Sequence, residues 1–589
     1  MRYLPFCILC LIACGPPDSP ATYLAPSYAQ GESILICVNG PATSESAERN
    51  PFLHYRMRLA LTQNERTRTI PGYYAADGSA ADSGADAGNV WCVRFHPETP
   101  GTYSYALSLS EGDGIALTTD TGTPLVSETG TFEVVPTDDR GVLRYDPSGY
   151  PKWSNSGEIF LKGGTNSPEN MLAFADIDGT YSIDSTKQYL KTYPTHVADW
   201  QAGDPTWQGT KGKGLIGGLN YLASQGVNSV YFLTMNIGGD ARDVFPYPTH
   251  TERTRFDVSK LDQWNRILTH AQEKGILLHF VTQETENETL LDGGDTGTER
   301  QLYYRELVAR FGHHPALVWD LGEENGQVDW NDDPAQTDAQ RRAMIDWFAQ
   351  NDPYQHPVLL HTQPHKSGKD LILPPLLGNA DLDGLSLQIG TPTDVYSEVR
   401  KWRHKADSSG HRWLLTMDEI GPWYSGSLSD DMDPAHDTLR QEVLYGALMA
   451  GCWGVEWYFG WHTPQNDLNA EDWRTREKLW QQTKIALDLF RELPVERMQP
   501  VDHLVTDAPA HVLAVPDSLY LIYLPKGRVP ILDFGAVGGA YAVTLIDPRT
   551  GERSTSSPVR LVRGGTRAPV PVPQRLGGVD WLLLLERRD

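Results

Sequence analysis

Two short stretches hold the residues best suited to chemistry. "VWDLGEENG", residues 318–326, closes an apolar run with Asp320, Glu323 and Glu324, and "WLLTMDEIGPW", residues 413–423, closes another with Asp418 and Glu419. Paired carboxylates of this kind suit cleavage of a glycosidic bond. One carboxylic acid protonates the leaving oxygen, and a second carboxylate attacks the sugar carbon or activates water. For that work the two must stand on either side of one bond, so the fold has to bring together positions 95 residues apart (419 − 324).

The elements around them supply a frame. From Gly149 to Glu492, apolar runs of five to eight residues alternate with amphipathic helices. The clearest helix, "VSKLDQWNRILTHAQEKG", puts Leu261, Trp264, Ile267, Leu268 and Ala271 on one stripe and ends at Gly275. Eight strands are expected: "EIFLK", "SVYFLTM", "ILLHFVT", "ALVWDLG", "PVLLH", "DGLSLQ", "WLLTMDE" and "WGVEWYFGW". That count and spacing predict a central (β/α)8 TIM barrel over residues 149–494. The rival, a doubly wound open sheet, lacks a Gly-rich phosphate loop after its first strand. In a barrel, strands four and seven face one another across the mouth.

Residues just after each run then line the site. They are Asn166, Glu169 and Asn170; Asn236 and Asp240; Gln283 and Glu284; Glu323, Glu324 and Asn325; His361; Gln388; Asp418 and Glu419; Trp457 and Trp461. Trp423, four residues after Glu419, joins them as a substrate-binding candidate. Amides and acids suit sugar hydroxyls, and indoles suit pyranose faces. Core packing is an equally ordinary use for Trp457 and Trp461, and Asp418 reads as a partner that orients its neighbours. His313 and His314 lack a third ligand, and "DIDGTYS" at 176–182 lacks the closing Glu of a calcium loop, so no metal or cofactor is expected.

The flanks read as β structure. Short alternating runs between 21 and 136, such as "SILICVNG", "NVWCVRFHP" and "GTYSYALSLS", predict a β-sandwich. "HVLAVP", "LYLIYL", "AYAVTLIDP" and "VDWLLLLE" predict a second one over 498–589. At the start, one Arg and a short apolar run lead to "LIAC", which resembles the bacterial lipobox, so residues 1–20 are expected to be a lipoprotein signal peptide and tether with Cys14 lipidated. The chain would then be an exported bacterial lipoprotein of the outer membrane, and Cys37 and Cys92, in an oxidising compartment, could pair within the first sandwich. A net charge of −26 argues against nucleic acid, whose phosphates need a Lys/Arg excess.

"HHPALVWDLGEEN" and "WLLTMDEIGPW" resemble the strand-four and strand-seven signatures of the clan A retaining glycoside hydrolases. More narrowly, "FLKGGTNSPENMLAFADIDGTYS", "RFGHHPALVWDLGEEN" and "IDPRTGE…VDWLLLLE" resemble the apiosidase-like glycoside hydrolases. Members of that family often carry an N-terminal immunoglobulin-like domain, which "NPF…GYYAADG…VRFHPETPGTYSY" resembles, and a C-terminal domain named for collagen binding. The resemblance implies Glu324 as acid/base and Glu419 as nucleophile, with Trp319 matching the family's Trp. At one position the chain departs: where clan A places the Asn that bonds the sugar 2-hydroxyl, this chain has Glu323, with Asn325 after it. Glu323 is then either a substrate ligand or a like charge that raises the pKa of Glu324. The expected function is a retaining glycoside hydrolase acting on a plant or algal polysaccharide or its oligosaccharides. The alternative is a non-catalytic carbohydrate-binding surface lipoprotein.

Overall fold

The computed structural model describes residues 24–184, 190–332, 334–505, 509–527, 530–532, 539–561, 568–569 and 579–588. The leader and Cys14 lie outside the described residues.

Eight parallel strands close into a barrel: β1 Lys162–Thr165, β2 Ser229–Leu233, β3 Leu277–Val281, β4 Leu317–Asp320, β5 Val358–His361, β6 Gly384–Ile389, β7 Leu414–Ile420 and β8 Gly454–Trp457. β1 pairs with both β2 and β8, and that closure excludes the open sheet. A helix follows each strand in turn: α1 Lys213–Ser224, α2 Val258–Glu273, α3 Thr298–Phe311, α4 Asp338–Asn351, α5 Lys366–Ile372, α6 Val395–Ser409, α7 Tyr445–Ala450 and α8 Glu477–Arg491. Asp257 caps α2 by accepting from the Lys260 amide at 2.9 Å, and its predicted apolar stripe is buried.

The first strand sits later than expected. Residues 158–162 read as a strand, yet β1 is Lys162–Thr165, which includes two glycines. A Cβ on Gly164 would come within 2.3 Å of the Ser229 carbonyl, so the close approach of β2 selects the residue that strand propensity disfavours.

Alternation along the strands sorts the side chains. Trp319 faces outward and stacks on Phe348 of α4 at 5.2 Å, while Asp320 faces inward. The interior is an ion network rather than an apolar plug. Lys162 Nζ lies 2.9 Å from both Asp418 and Glu456, and His279 lies 2.8 Å from Glu456 and 3.2 Å from Asp320. All five side chains are fully buried. Burial and Lys162 disfavour a charged His279, but Glu456 and Asp320 carry its pKa up to about 9. The network ties β1, β3, β4, β7 and β8 together beneath the mouth.

The N-terminal region has a five-stranded and a three-stranded sheet that share one core. Cys37 and Cys92 form a disulfide between paired strands, Ile34–Ser44 and Ala87–Phe95. The C-terminal region has a six-stranded and a two-stranded sheet. In its strand Leu519–Leu524, Leu521 and Tyr523 join the barrel's core, and Tyr520, Ile522 and Leu524 form a second core on the other face. Arg440, just before α7, pairs with buried Asp580 at 2.8 Å, and the Tyr523 hydroxyl donates to the same carboxylate at 2.9 Å. That cluster binds the C-terminal sheet to the barrel.

Candidate active site

The C-terminal ends of the strands open into a cavity of about 810 Å³. A break in strand pairing decides which side chains enter it. Leu387 on β6 faces Met417 on β7, but the next pair is Gln388 with Glu419, so Asp418 is an extra residue. Strict alternation would send either Asp418 or Glu419 outward. The bulge lets both point inward, Asp418 down to Lys162 and Glu419 up into the cavity.

Gln388 Nε2 donates to Glu419 Oε1 at 2.6 Å and to Glu324 Oε1 at 2.7 Å. Glu324 has left-handed backbone, φ 49°, uncommon for a residue with a Cβ, and its amide donates to His361 Nδ1 at 3.2 Å. The neutral His361 ring must then carry its hydrogen on Nε2, which lies 3.7 Å from Glu419 Oε2. Burial holds His361 at about 3, so the ring is neutral at working pH. Glu323 accepts from the Tyr231 hydroxyl at 2.7 Å and also lines the cavity.

Burial lifts Glu324 to about 8, against the pull of Gln388 and with help from the charges of Glu286 and Asp240. Burial likewise raises Glu419, with the Glu324 charge next, and it raises Glu323, with the Glu419 and Glu324 charges next. Three crowded carboxyls in a dry mouth titrate as a coupled set, each ionising less readily than a free acid.

Of the remaining residues expected from sequence, Glu169, Asp240, Glu284, Trp423 and Trp461 line the cavity. Trp423 and Trp461 belong to loops that are joined: the Trp461 amide donates to the Trp423 carbonyl at 3.0 Å, and the Tyr458 hydroxyl donates to that carbonyl at 2.9 Å. Others turn away. Asn170 bonds Lys191 and Asp243; Asn236 bonds Asp243 and the Asp240 carbonyl; Gln283 bonds Arg300 and Gln336; Asn325 bonds Arg341 and Gln336. Gln283 and Asn325 tie loops to α3 and α4, Asn170 and Asn236 hold loop segments to one another, and none of the four lines the cavity. Trp457 is fully buried and donates to Thr483 of α8 at 2.9 Å, so it packs outward and offers no sugar platform.

The cavity also holds Asp467, Tyr424, Tyr458, Trp330 and Glu286, which sequence reasoning missed. Tyr458 had a readable signal. Glu456 can exist in a buried strand only if it faces a charged partner inside, which sends Trp457 out and Tyr458 back in.

With that geometry in view, likenesses to known proteins can be weighed. A structure of a candidate glycoside hydrolase from Bacteroides vulgatus aligns over 96% of this chain and 100% of its own, with TM-score 0.64 and 14% identity. A glycoside hydrolase family 5 structure from the same organism aligns over 76% of this chain and 93% of its own, with TM-score 0.53 and 14% identity. The likeness is one of fold. A family model for a domain of unknown function (DUF5060) matches residues 35–110, within the N-terminal sheets. No curated protein matches the chain.

Three groups among the described residues place possible ligand atoms within 4.8 Å of one another: His279, Asp418 and Glu456; Glu323, His361 and Glu419; and Glu169, Asp240 and Glu284. The first is already neutralised by Lys162. In the second, Tyr231 and Gln388 already donate to the carboxylates.

Proposed function

We propose that the protein is a retaining glycoside hydrolase that cleaves a plant or algal polysaccharide or its oligosaccharides, with Glu324 as acid/base and Glu419 as nucleophile. The observation that carries this reading is the Gln388 nitrogen bonded to both carboxylates at 2.7 and 2.6 Å. Two bonds to one atom keep the bonded oxygens close together, which favours the ~5 to 5.5 Å carboxyl spacing of direct attack over the ~6.5 to 9.5 Å that admits a water.

The roles follow from the donors. Glu419 faces two N–H groups, those of Gln388 and His361, so the pair's negative charge settles there. Glu324, at about 8, keeps its proton at neutral pH. Glu324 gives that proton to the leaving oxygen as Glu419 bonds to the anomeric carbon and the glycosidic bond breaks. A water then gives a proton back to Glu324 while its oxygen displaces Glu419. The free oxygen of Glu323 faces the sugar as an acceptor for a hydroxyl. Trp423, Tyr424, Tyr458 and Trp461 supply rings for stacking, and among the described residues no Lys or Arg lines the cavity, which favours an uncharged glycan over a uronate or sulfated one.

Incubation with a panel of neutral plant and algal polysaccharides tests the reading. Oligosaccharides should appear with the anomeric configuration of the substrate by NMR, and none should appear with Glu419→Gln. Glycan binding with no turnover by the wild type would return the non-catalytic alternative. The disulfide of Cys37 and Cys92 supports passage through an oxidising compartment, and we propose that lipidated Cys14 anchors the protein in the outer membrane. Cys14→Ser should then move it from the membrane to the soluble fraction; continued retention would sink the anchor.

A further inference from the structure

We propose that Glu169, Asp240 and Glu284 form a binding site for one divalent, oxygen-seeking cation of the calcium type, beside the catalytic carboxylates but separate from them. The three residues follow β1, β2 and β3, so consecutive strands bring them to one edge of the cavity. An oxygen from each lies within 4.8 Å of the others, close enough to share an ion at calcium–oxygen distances of ~2.3–2.6 Å.

A cluster of acids alone would be ordinary at a barrel mouth. What sets this one apart is the state of Glu169. Its side chain is 94% buried, from 6% exposure, and its Oε1 has no hydrogen-bond partner, although it stands among carboxylates. A buried, unpaired carboxylate oxygen is costly unless something positive reaches it. Among the described residues no Lys or Arg lines the cavity, and the ammonium of Lys191 is engaged with Asn170 Oδ1 at 2.5 Å.

The loop after β2 is shaped to the cluster. A Cβ on Gly239 would lie 1.5 Å from Glu284 Oε2, so any larger residue there would displace the carboxylate from its present position, and the Asp240 amide donates to Glu284 Oε1 at 3.3 Å. Asn287 Nδ2 steadies the other oxygen at 3.4 Å. Glu284 is therefore held in place with its neighbour Asp240 brought against it. Cation binding requires neither the proposed reaction nor any particular sugar.

Calorimetric titration of the metal-stripped full-length protein with CaCl₂ tests the site, with thermal unfolding as a second measurement. The expected result is one Ca²⁺ per chain and a higher Tm with calcium. Affinity should fall at least about tenfold in Glu169→Gln, in Glu284→Gln and in Gly239→Ala, and stay unchanged in Glu419→Gln. Gly239→Ala keeps every charge and displaces only the Glu284 carboxylate, so it covers the case in which a Gln variant folds poorly. Absence of calcium binding by the wild type would overturn the proposal. So would binding that survives all three substitutions, or binding lost only in Glu419→Gln, which would place the ion with Glu323 and His361.

Discussion

Glu324 and Glu419 accept hydrogen bonds from a single amide nitrogen, that of Gln388, at 2.7 and 2.6 Å. The donor holds the pair at a fixed spacing and favours the charged form of each acid. If the roles are as proposed, the two substitutions should differ in kind. Glu419→Gln should abolish turnover on every substrate. Glu324→Gln should cost about 10²–10⁴-fold on a natural glycan, far less on an aryl glycoside with a good leaving group, and azide should restore turnover. The same leaving-group dependence in Glu323→Gln instead would move the acid/base by one residue.

The pH profile should report Glu324. A carboxyl raised to about 8 is protonated at neutral pH, so the acid needed for the first step is present below that pH and lost above it. The rate should fall about tenfold per unit once pH exceeds about 8. Gln388→Leu removes the group that favours ionisation, so the alkaline limb should move up while kcat/KM falls by about 10²-fold, the usual scale for one lost active-site donor. An unmoved limb would detach Gln388 from Glu324.

Much of this was legible in the sequence, for uneven reasons. Helix α2 and seven of the strands follow from periodicity, because burial of one face dictates where apolar residues fall. Strand β1 was misplaced because Gly163 and Gly164 are chosen for backbone approach, a tertiary demand invisible locally. Glu324 and Glu419 could be picked out, but the bulge that turns Glu419 inward could not, since it exists only as a slip between β6 and β7. Asn170, Asn236, Gln283 and Asn325 have the right chemistry for sugars and the wrong direction. Asn170, Gln283 and Asn325 find partners in other segments, Asp243, Arg300, Gln336 and Arg341, and Asn236 turns back onto Asp243 in its own loop.

Trp423 and Trp457 should respond differently to truncation. Trp423 is 58% exposed at the cavity rim, so Trp423→Ala should leave the melting curve near its place and raise KM, by the ~0.5–1.5 kcal/mol of a lost stack. Trp457 fills the space between β8 and α8, so Trp457→Ala should cost about 3–5 kcal/mol of stability in urea unfolding. Equal stability losses would contradict the outward placement of Trp457.

The buried pair of Arg440 and Asp580 should be sensitive to loss of either partner. Asp580→Ala leaves the guanidinium without its buried counter-charge and with only the exposed Asp437 beside it, and removing one member of a buried pair costs about 3–5 kcal/mol. Thermal unfolding with circular dichroism checks this. A change below about 1 kcal/mol would mean that water reaches the site.

That pair has a consequence for how the protein is made. Arg440 belongs to the turn leading into α7, the helix between the last two barrel strands, and its partner lies 140 residues later, just before the C-terminal strand Trp581–Arg587. During synthesis all eight strands leave the ribosome well before Asp580 is added, so the nascent barrel must wait with that guanidinium paired to the exposed Asp437 alone. Emergence of the C-terminal sheet, rather than of β8, is then the event that lets the barrel settle.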